Sequence, residues 1–208
     1  VDDQGDGGKI IDRPVLLQNE PDLPASAPHE RIVTVARELF CRDGIHATGI
    51  DRILAEASAS KMTLYARFGS KDGLLREVLQ QEGAEWRRNF FAAVTAGPGA
   101  PLGQVIAAIA AMFDSGRFYG CAFMNAIGEH TKGAAWLRDL AAEHHRQILA
   151  FLERHAVAAG YAEPALLARQ LLLLVDGTVA ALMVSGDPAV LKIAERNLSA
   201  VLSHTPGG

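Results

Sequence analysis

Eight consecutive residues, Lys61-Met62-Thr63-Leu64-Tyr65-Ala66-Arg67-Phe68, combine two cations, a hydroxyl and a phenol with apolar positions four apart. On a helix, Leu64 and Phe68 share one face and pin the segment to a core. Lys61, Thr63, Tyr65 and Arg67 then point outward. Such a face can bind phosphates and read base edges. Thr48 and Lys71 flank it, each at or beside an expected helix N-terminus, where unpaired backbone N–H groups favour a phosphate. Composition alone also fits a plainer reading, a solvated cationic face on a small helical bundle.

The surrounding elements have to hold that face in place. Ile32, Val33, Ala36, Leu39 and Phe40 recur at helical spacing from residue 29, and Gly44 stops the run. Thr48-Gly49-Ile50-Asp51 reads as a capping-box-like start for a second helix that buries Ile50, Ile53, Leu54 and Ala57. Ser58-Ala59-Ser60 forms a short turn, and Ser60 caps a third helix from Lys61 to about Phe68. Gly69 breaks it, and Ser70 caps a long fourth helix carrying Leu74, Leu75, Val78, Leu79, Trp86, Phe90 and Val94. Three short helices with a three-residue turn between the second and third make a helix-turn-helix. In that geometry the second helix crosses the phosphate backbone and the third enters the major groove.

The runs Arg31 to Phe40, Gly44 to Thr48 and Ser60 to Leu75 together resemble the N-terminal domain of the TetR family. The resemblance implies that Thr48, Tyr65 and Lys71 contact phosphates and that Lys61, Met62, Thr63 and Arg67 lie near base edges. Two positions depart from the family pattern. Ser58 stands where Gly is common, which suggests a different backbone conformation there. Met62 is bulkier than the usual small residue, which suggests an altered or narrower operator preference.

Further helices are expected at about 101–114, 121–130, 133–159, 164–184 and 187–203, separated by Gly- and Pro-rich breakers. No segment alternates like a half-buried strand. The fold class expected is all-α with about nine helices: a three-helix helix-turn-helix DNA-binding domain at 29–75, joined to a helical effector-binding and dimerisation domain at 76–208. Residues 1–28, rich in Asp, Gly and Pro, read as a flexible arm.

Gly120 to Glu129 is similar to a segment of one branch of TetR-like regulators. Residues 166–183 are apolar nearly all round, so that helix must be buried on more than one side. Gly177, Ala180 and Ala181 permit close approach of another helix, and the final helix offers Val190, Ile193, Ala194, Leu198, Val201 and Leu202. The resemblance implies a homodimer through the helices at 164–184 and 187–203, as two DNA half-sites require. Trp86, Phe90, Met112, Phe113, Phe123 and Asn125 are candidates to line an effector cavity, with Asn125 the polar group to orient a ligand. Asp176 is costly to bury alone. It either holds a ligand, pairs with an Arg or caps an interrupted turn.

The net charge of −4 is unevenly spread: residues 1–28 carry two basic and six acidic groups, while residues 29–88 carry ten and nine. Affinity for DNA therefore rests on a local face, not on overall charge. Seven histidines show no Glu-x-x-His pair, adjacent His144 and His145 point about 100° apart, and all read as exposed helix residues rather than metal ligands. Cys41 and Cys121 lack metal-ligand spacing, and Cys121 reads as a buried thiol. No signal segment and no uninterrupted apolar span of membrane length is apparent, so a cytoplasmic protein without a membrane partner is expected. No enzyme activity, metal or cofactor is expected. The reading is a regulator that binds a palindromic operator in double-stranded DNA; the resemblance implies a repressor released by a small-molecule effector, with activation left open by the sequence.

Overall fold

The computed structural model describes residues 27–115, 118–130 and 134–203. Among these the chain forms α1 (Pro28–Asp43), α2 (Ile50–Glu56), α3 (Lys61–Phe68), α4 (Lys71–Ala96), α5 (Val105–Phe113), α6 (Ala122–Glu129), α7 (Ala135–Ala158), α8 (Pro164–Ser185) and α9 (Ala189–Ser203). One 3₁₀ turn, Pro101–Gln104, precedes α5, and no strand occurs among the described residues. The all-α expectation holds. The arm expected at 1–28 lies outside the described residues as far as 26.

Local chemistry sets the helix ends. Pro28 opens α1, and the Glu30 carboxylate accepts the Ala27 N–H at 3.0 Å. Ser60 and Ser70 act as expected: their hydroxyl oxygens accept the backbone N–H of Thr63 and Gly73, at 3.1 and 3.0 Å. Thr48 does not cap α2. Gly49 holds the N-cap position, and Thr48 is buried with its hydroxyl donating to the Gly44 carbonyl at 2.7 Å. Between α3 and α4 the chain turns so tightly that a Cβ on Gly73 would lie 1.9 Å from the Phe68 carbonyl oxygen.

Two apolar cores form. The first gathers α1, α2, α3 and the start of α4 around Ile32, Leu39, Ile53, Leu64, Leu74 and Leu75, closed by Phe123 and Ala126 of α6 and Leu137 of α7. The second joins the end of α4 to α5, α7, α8 and α9 through Phe90, Val94, Ile106, Ile109, Leu152, Leu171 and Leu198. Helix α4 feeds both, and the boundary expected at residue 75 falls inside it. By length and composition α8 is apolar enough to cross a membrane, although Arg169 and Asp176 interrupt the apolar run. It packs here as a core helix, burying Leu167, Leu171, Val175, Val179 and Leu182.

The α2–α3 turn keeps the backbone that glycine would take. Ser58 sits at φ +47°, in the left-handed region, so the different conformation expected from a non-glycine residue does not occur. Arg31 of α1 holds the turn, its Nε donating to the Ala57 carbonyl at 2.9 Å and its Nη2 to that of Ser58 at 3.0 Å. The exposed-histidine expectation fails at His144, which is buried on α7. Its Nδ1 accepts from Arg87 Nη1 at 2.7 Å, which fixes the neutral imidazole with its proton on Nε2. Burial, then the Arg87 charge, hold its pKa down to about 3.

Two predictions follow from this packing. Replacing Ser58 with Gly relieves the left-handed strain and raises stability by about 1 kcal/mol in urea unfolding; a lower midpoint would contradict the turn geometry. For His144 the unfolded chain takes up a proton near pH 6.5, whereas the folded chain resists until about pH 3. Stability is therefore lost as pH falls through that window, by about 2 kcal/mol at pH 5. His144→Gln keeps an acceptor for Arg87 and has no proton to gain. Its melting temperature should drop less than wild type between pH 7.5 and 5, and parallel curves would refute the assignment.

Candidate nucleic-acid interface and interhelical cavity

Leu64 is fully buried and anchors α3 against α1 and α4, with half-buried Phe68 one turn on. The opposite face is open: Met62 is 80% and Tyr65 49% exposed, and Lys61 and Arg67 are exposed beside them. The Arg67 guanidinium lies 6.0 Å from the Phe68 ring centroid. Lys61 reaches Asp51 of α2 at 2.8 Å, an ion pair between two well-exposed side chains that costs little to open. Thr63 is half-buried, and its hydroxyl shares a 2.9 Å hydrogen bond with Ser60 Oγ.

The two flanking residues are placed differently from α3. The Thr48 hydroxyl faces inward, so its side chain is not on the open face. Lys71 is the first residue of α4, and its Nζ donates to the Ile45 carbonyl at 2.5 Å, 6.0 Å from the Phe40 ring centroid. Its ammonium thus fixes the loop between α1 and α2 while the N-terminus of α4 stays at the surface.

A partly open cavity lies between α4, α6, α7 and α8. Three of the expected residues line it: Trp86, Phe123 and Asp176. The others do not. Phe90 is buried in the second core behind Trp86, with ring centroids 4.8 Å apart. Phe113 packs edge-on to Phe118 at 5.3 Å, and Met112 is its neighbour on α5. Asn125 Nδ2 donates to the Tyr119 carbonyl at 2.9 Å and so ties down the segment before α6.

Sequence reasoning missed the polar wall residues Glu82 and His144. Glu82 lies four residues before Trp86 on one helix face, and His144 four before the buried Ile148; that spacing was the available signal. The Phe123 ring stacks on His144 with centroids 4.5 Å apart, and Trp86 meets it edge-on at 5.4 Å. Asp176 pairs with His145, not with an arginine, at 3.5 Å, and that hydrogen bond raises the His145 pKa. Burial pushes up the pKa of the Cys121 thiol, another wall residue.

Three polar links join this region to α1, to the α1–α2 loop and to the first turn of α4. Arg37 of α1 bonds Glu82 and also Glu85, the latter at 2.6 Å. The Glu129 carboxylate at the end of α6 accepts the His46 backbone N–H at 2.9 Å. His130 Nε2 lies 3.6 Å from Asp72 near the start of α4. Helix α6 therefore begins at the cavity and ends on the α1–α2 loop.

Comparison with known proteins places the chain. The family model for bacterial regulatory proteins of the tetR family matches residues 32–78. The HTH-type transcriptional regulator QacR of Staphylococcus aureus is 34% identical over 61 residues, 29% of this chain and 32% of that protein. The HTH-type transcriptional repressor SCO4008 of Streptomyces coelicolor is 43% identical over 56 residues, 27% of this chain and 29% of that protein. These matches span no more than a third of either curated relative. Solved structures agree over most of the chain. SCO4454, a TetR-family transcriptional regulator from Streptomyces coelicolor, superposes with a TM-score of 0.77 at 29% identity, covering 86% of this chain and 95% of that one. A TetR-family regulator in complex with a 26 bp operator, CifR, shares the fold with a TM-score of 0.69 at 22% identity, covering 82% of this chain and 95% of that one. Residues 32–78 thus match the tetR family model, and the arrangement of helices beyond them is similar to that of the solved TetR-family regulator SCO4454.

Proposed function

We propose that this protein is a dimeric, sequence-specific repressor that binds a palindromic operator and lets go of it when a small molecule enters the cavity. The observation that carries the reading is the buried Leu64, which turns Lys61, Met62, Tyr65 and Arg67 of α3 toward solvent on a short helix of groove-fitting size. In this reading residues 29–75 make the DNA contacts, in the cytoplasm where the operator lies, and residues 76–208 hold the effector and the second subunit. Arg67 and Met62 meet base edges, with Lys61 and Thr63 beside them. Tyr65 and the N-terminus of α4 at Lys71 meet phosphates. Thr48 contributes through its backbone and by shaping the loop.

Support for the dimer comes from α8 and α9. Leu173 is 74% and Ile193 60% exposed. They border an open apolar cleft shared with Leu174, Gly177, Ala181 and Val201. Apolar surface of this extent on two adjacent helices fits a subunit interface. A two-fold there sets the recognition helices about 34–36 Å apart, one DNA turn. An effector acts only by preferring a conformation with another spacing.

Selection of bound sequences from randomised duplex DNA should return an inverted repeat. Arg67→Ala should relax preference at one position of each half-site by about 1–3 kcal/mol. A uniform loss across all sequences would reassign Arg67 to the backbone. Leu173→Glu together with Ile193→Glu should give a folded monomer by light scattering that no longer binds the two-half-site operator tightly; a persistent dimer would move the interface elsewhere.

A further inference from the structure

We propose that the cavity takes a small aromatic cation, and that Glu82 is a carboxylate such a ligand shares with Arg37 of α1. The proposal rests on the reading of the cavity as an effector site and specifies its ligand and its link to the DNA-binding helices. Among the described residues, two carboxylates, Glu82 and Asp176, line the cavity, and no Lys or Arg does. The remaining ionisable wall groups are uncharged: His144 accepts a hydrogen bond from Arg87, and the Cys121 thiol is held protonated by burial. An anionic ligand would face two carboxylates whose counter-charges, Arg37 and His145, stand outside the wall. Trp86 and Phe123 supply the aromatic faces that favour a flat ring bearing positive charge.

Each carboxylate already has a counter-charge behind it, and those partners differ in consequence. Asp176 pairs with His145 of α7, inside the same helical layer. Glu82 pairs with Arg37, which belongs to the helix that packs on α3. Arg37 also holds Glu85, which lies outside the cavity wall. A cation beside Glu82 weakens one of the two anchors of Arg37 and leaves the other. The ligand thus competes directly with a contact that fixes α1 relative to α4. Because coupling is reciprocal, whatever loosens Arg37 from Glu82 favours the ligand by the same factor.

The test uses three probes built on one bicyclic frame: N-methylquinolinium, 1-naphthylmethanol and 1-naphthoate. Binding to the purified full chain is followed by calorimetry, with circular dichroism confirming that each variant is folded. The cation should bind at least about tenfold more tightly than the alcohol or the carboxylate. Glu82→Gln and Asp176→Asn should each cost about tenfold for the cation and little for the alcohol. Arg37→Gln should raise cation affinity several-fold, on the order of fivefold, since Glu82 is then uncontested. Tighter or equal binding of the alcohol or naphthoate overturns the ligand class while leaving the cavity as an effector site. Failure of all three probes to bind sinks both. Unchanged cation affinity in Arg37→Gln overturns the shared carboxylate.

Discussion

Leu74, Leu75, Val78 and Leu79 lie on the same helix as Phe90 and Val94, yet the two groups are buried in different cores. This double burial of α4 is the constraint on which the other features depend. Its first turn abuts α3 across a turn with no room for a Cβ at Gly73, so α3 is held at the end of a 26-residue helix. The middle of the helix supplies Glu82 and Trp86 to the cavity wall. A straight helix transmits displacement over its length because its hydrogen bonds repeat without a hinge. A flexible linker in its place would uncouple the cavity from α3.

The polar links that tie α4 and α6 to α1, to the α1–α2 loop and to the first turn of α4 are of a different order. Burial of side chains such as Leu64, Leu74 and Phe90 contributes about 1.5–3 kcal/mol each. Exposed ion pairs contribute about 0–1 kcal/mol. Arg37 with Glu82 and Glu85, Glu129 with the His46 N–H, and His130 with Asp72 therefore bias how the two parts sit without deciding whether either folds. That division suits a protein whose parts must shift relative to each other while both remain intact.

Much of this was legible in the sequence because it depends on neighbours along the chain. Helical spacing of Ile32, Ala36 and Leu39, the serine caps at 60 and 70, and the breakers at Gly44 and Gly69 are all local facts, and the helices follow them. What failed depends on distant partners. Thr48 looked like a cap, but the carbonyls of Gly44 and Leu39 draw its hydroxyl inward. Ser58 looked incompatible with a left-handed turn, but Arg31, 27 residues earlier, satisfies that turn's carbonyls. His144 looked solvated because nothing local announces that Arg87 and Phe123 will enclose it. The cavity is the extreme case, since its wall comes from four helices and only residues facing one shared void can line it.

Helix α8 shows how the two ends of the regulatory argument meet. At about 100° per residue, Val175, Asp176 and Val179 fall on one side of the helix, and these face the cavity. Leu173, Gly177 and Ala181 fall on the other side, along the open apolar cleft with α9. One helix thickness separates the proposed ligand from the proposed subunit interface. Among the described residues α8 packs against α5, α7 and α9, yet Leu173 and Val184 stay exposed on it. Any ligand that displaces Asp176 or Val179 must therefore move the same backbone that carries Leu173 and Gly177, because a helix of 22 residues cannot shift one face alone. The composition that makes α8 resemble a membrane span fits its position as a wall with the cavity on one side and the proposed subunit interface on the other.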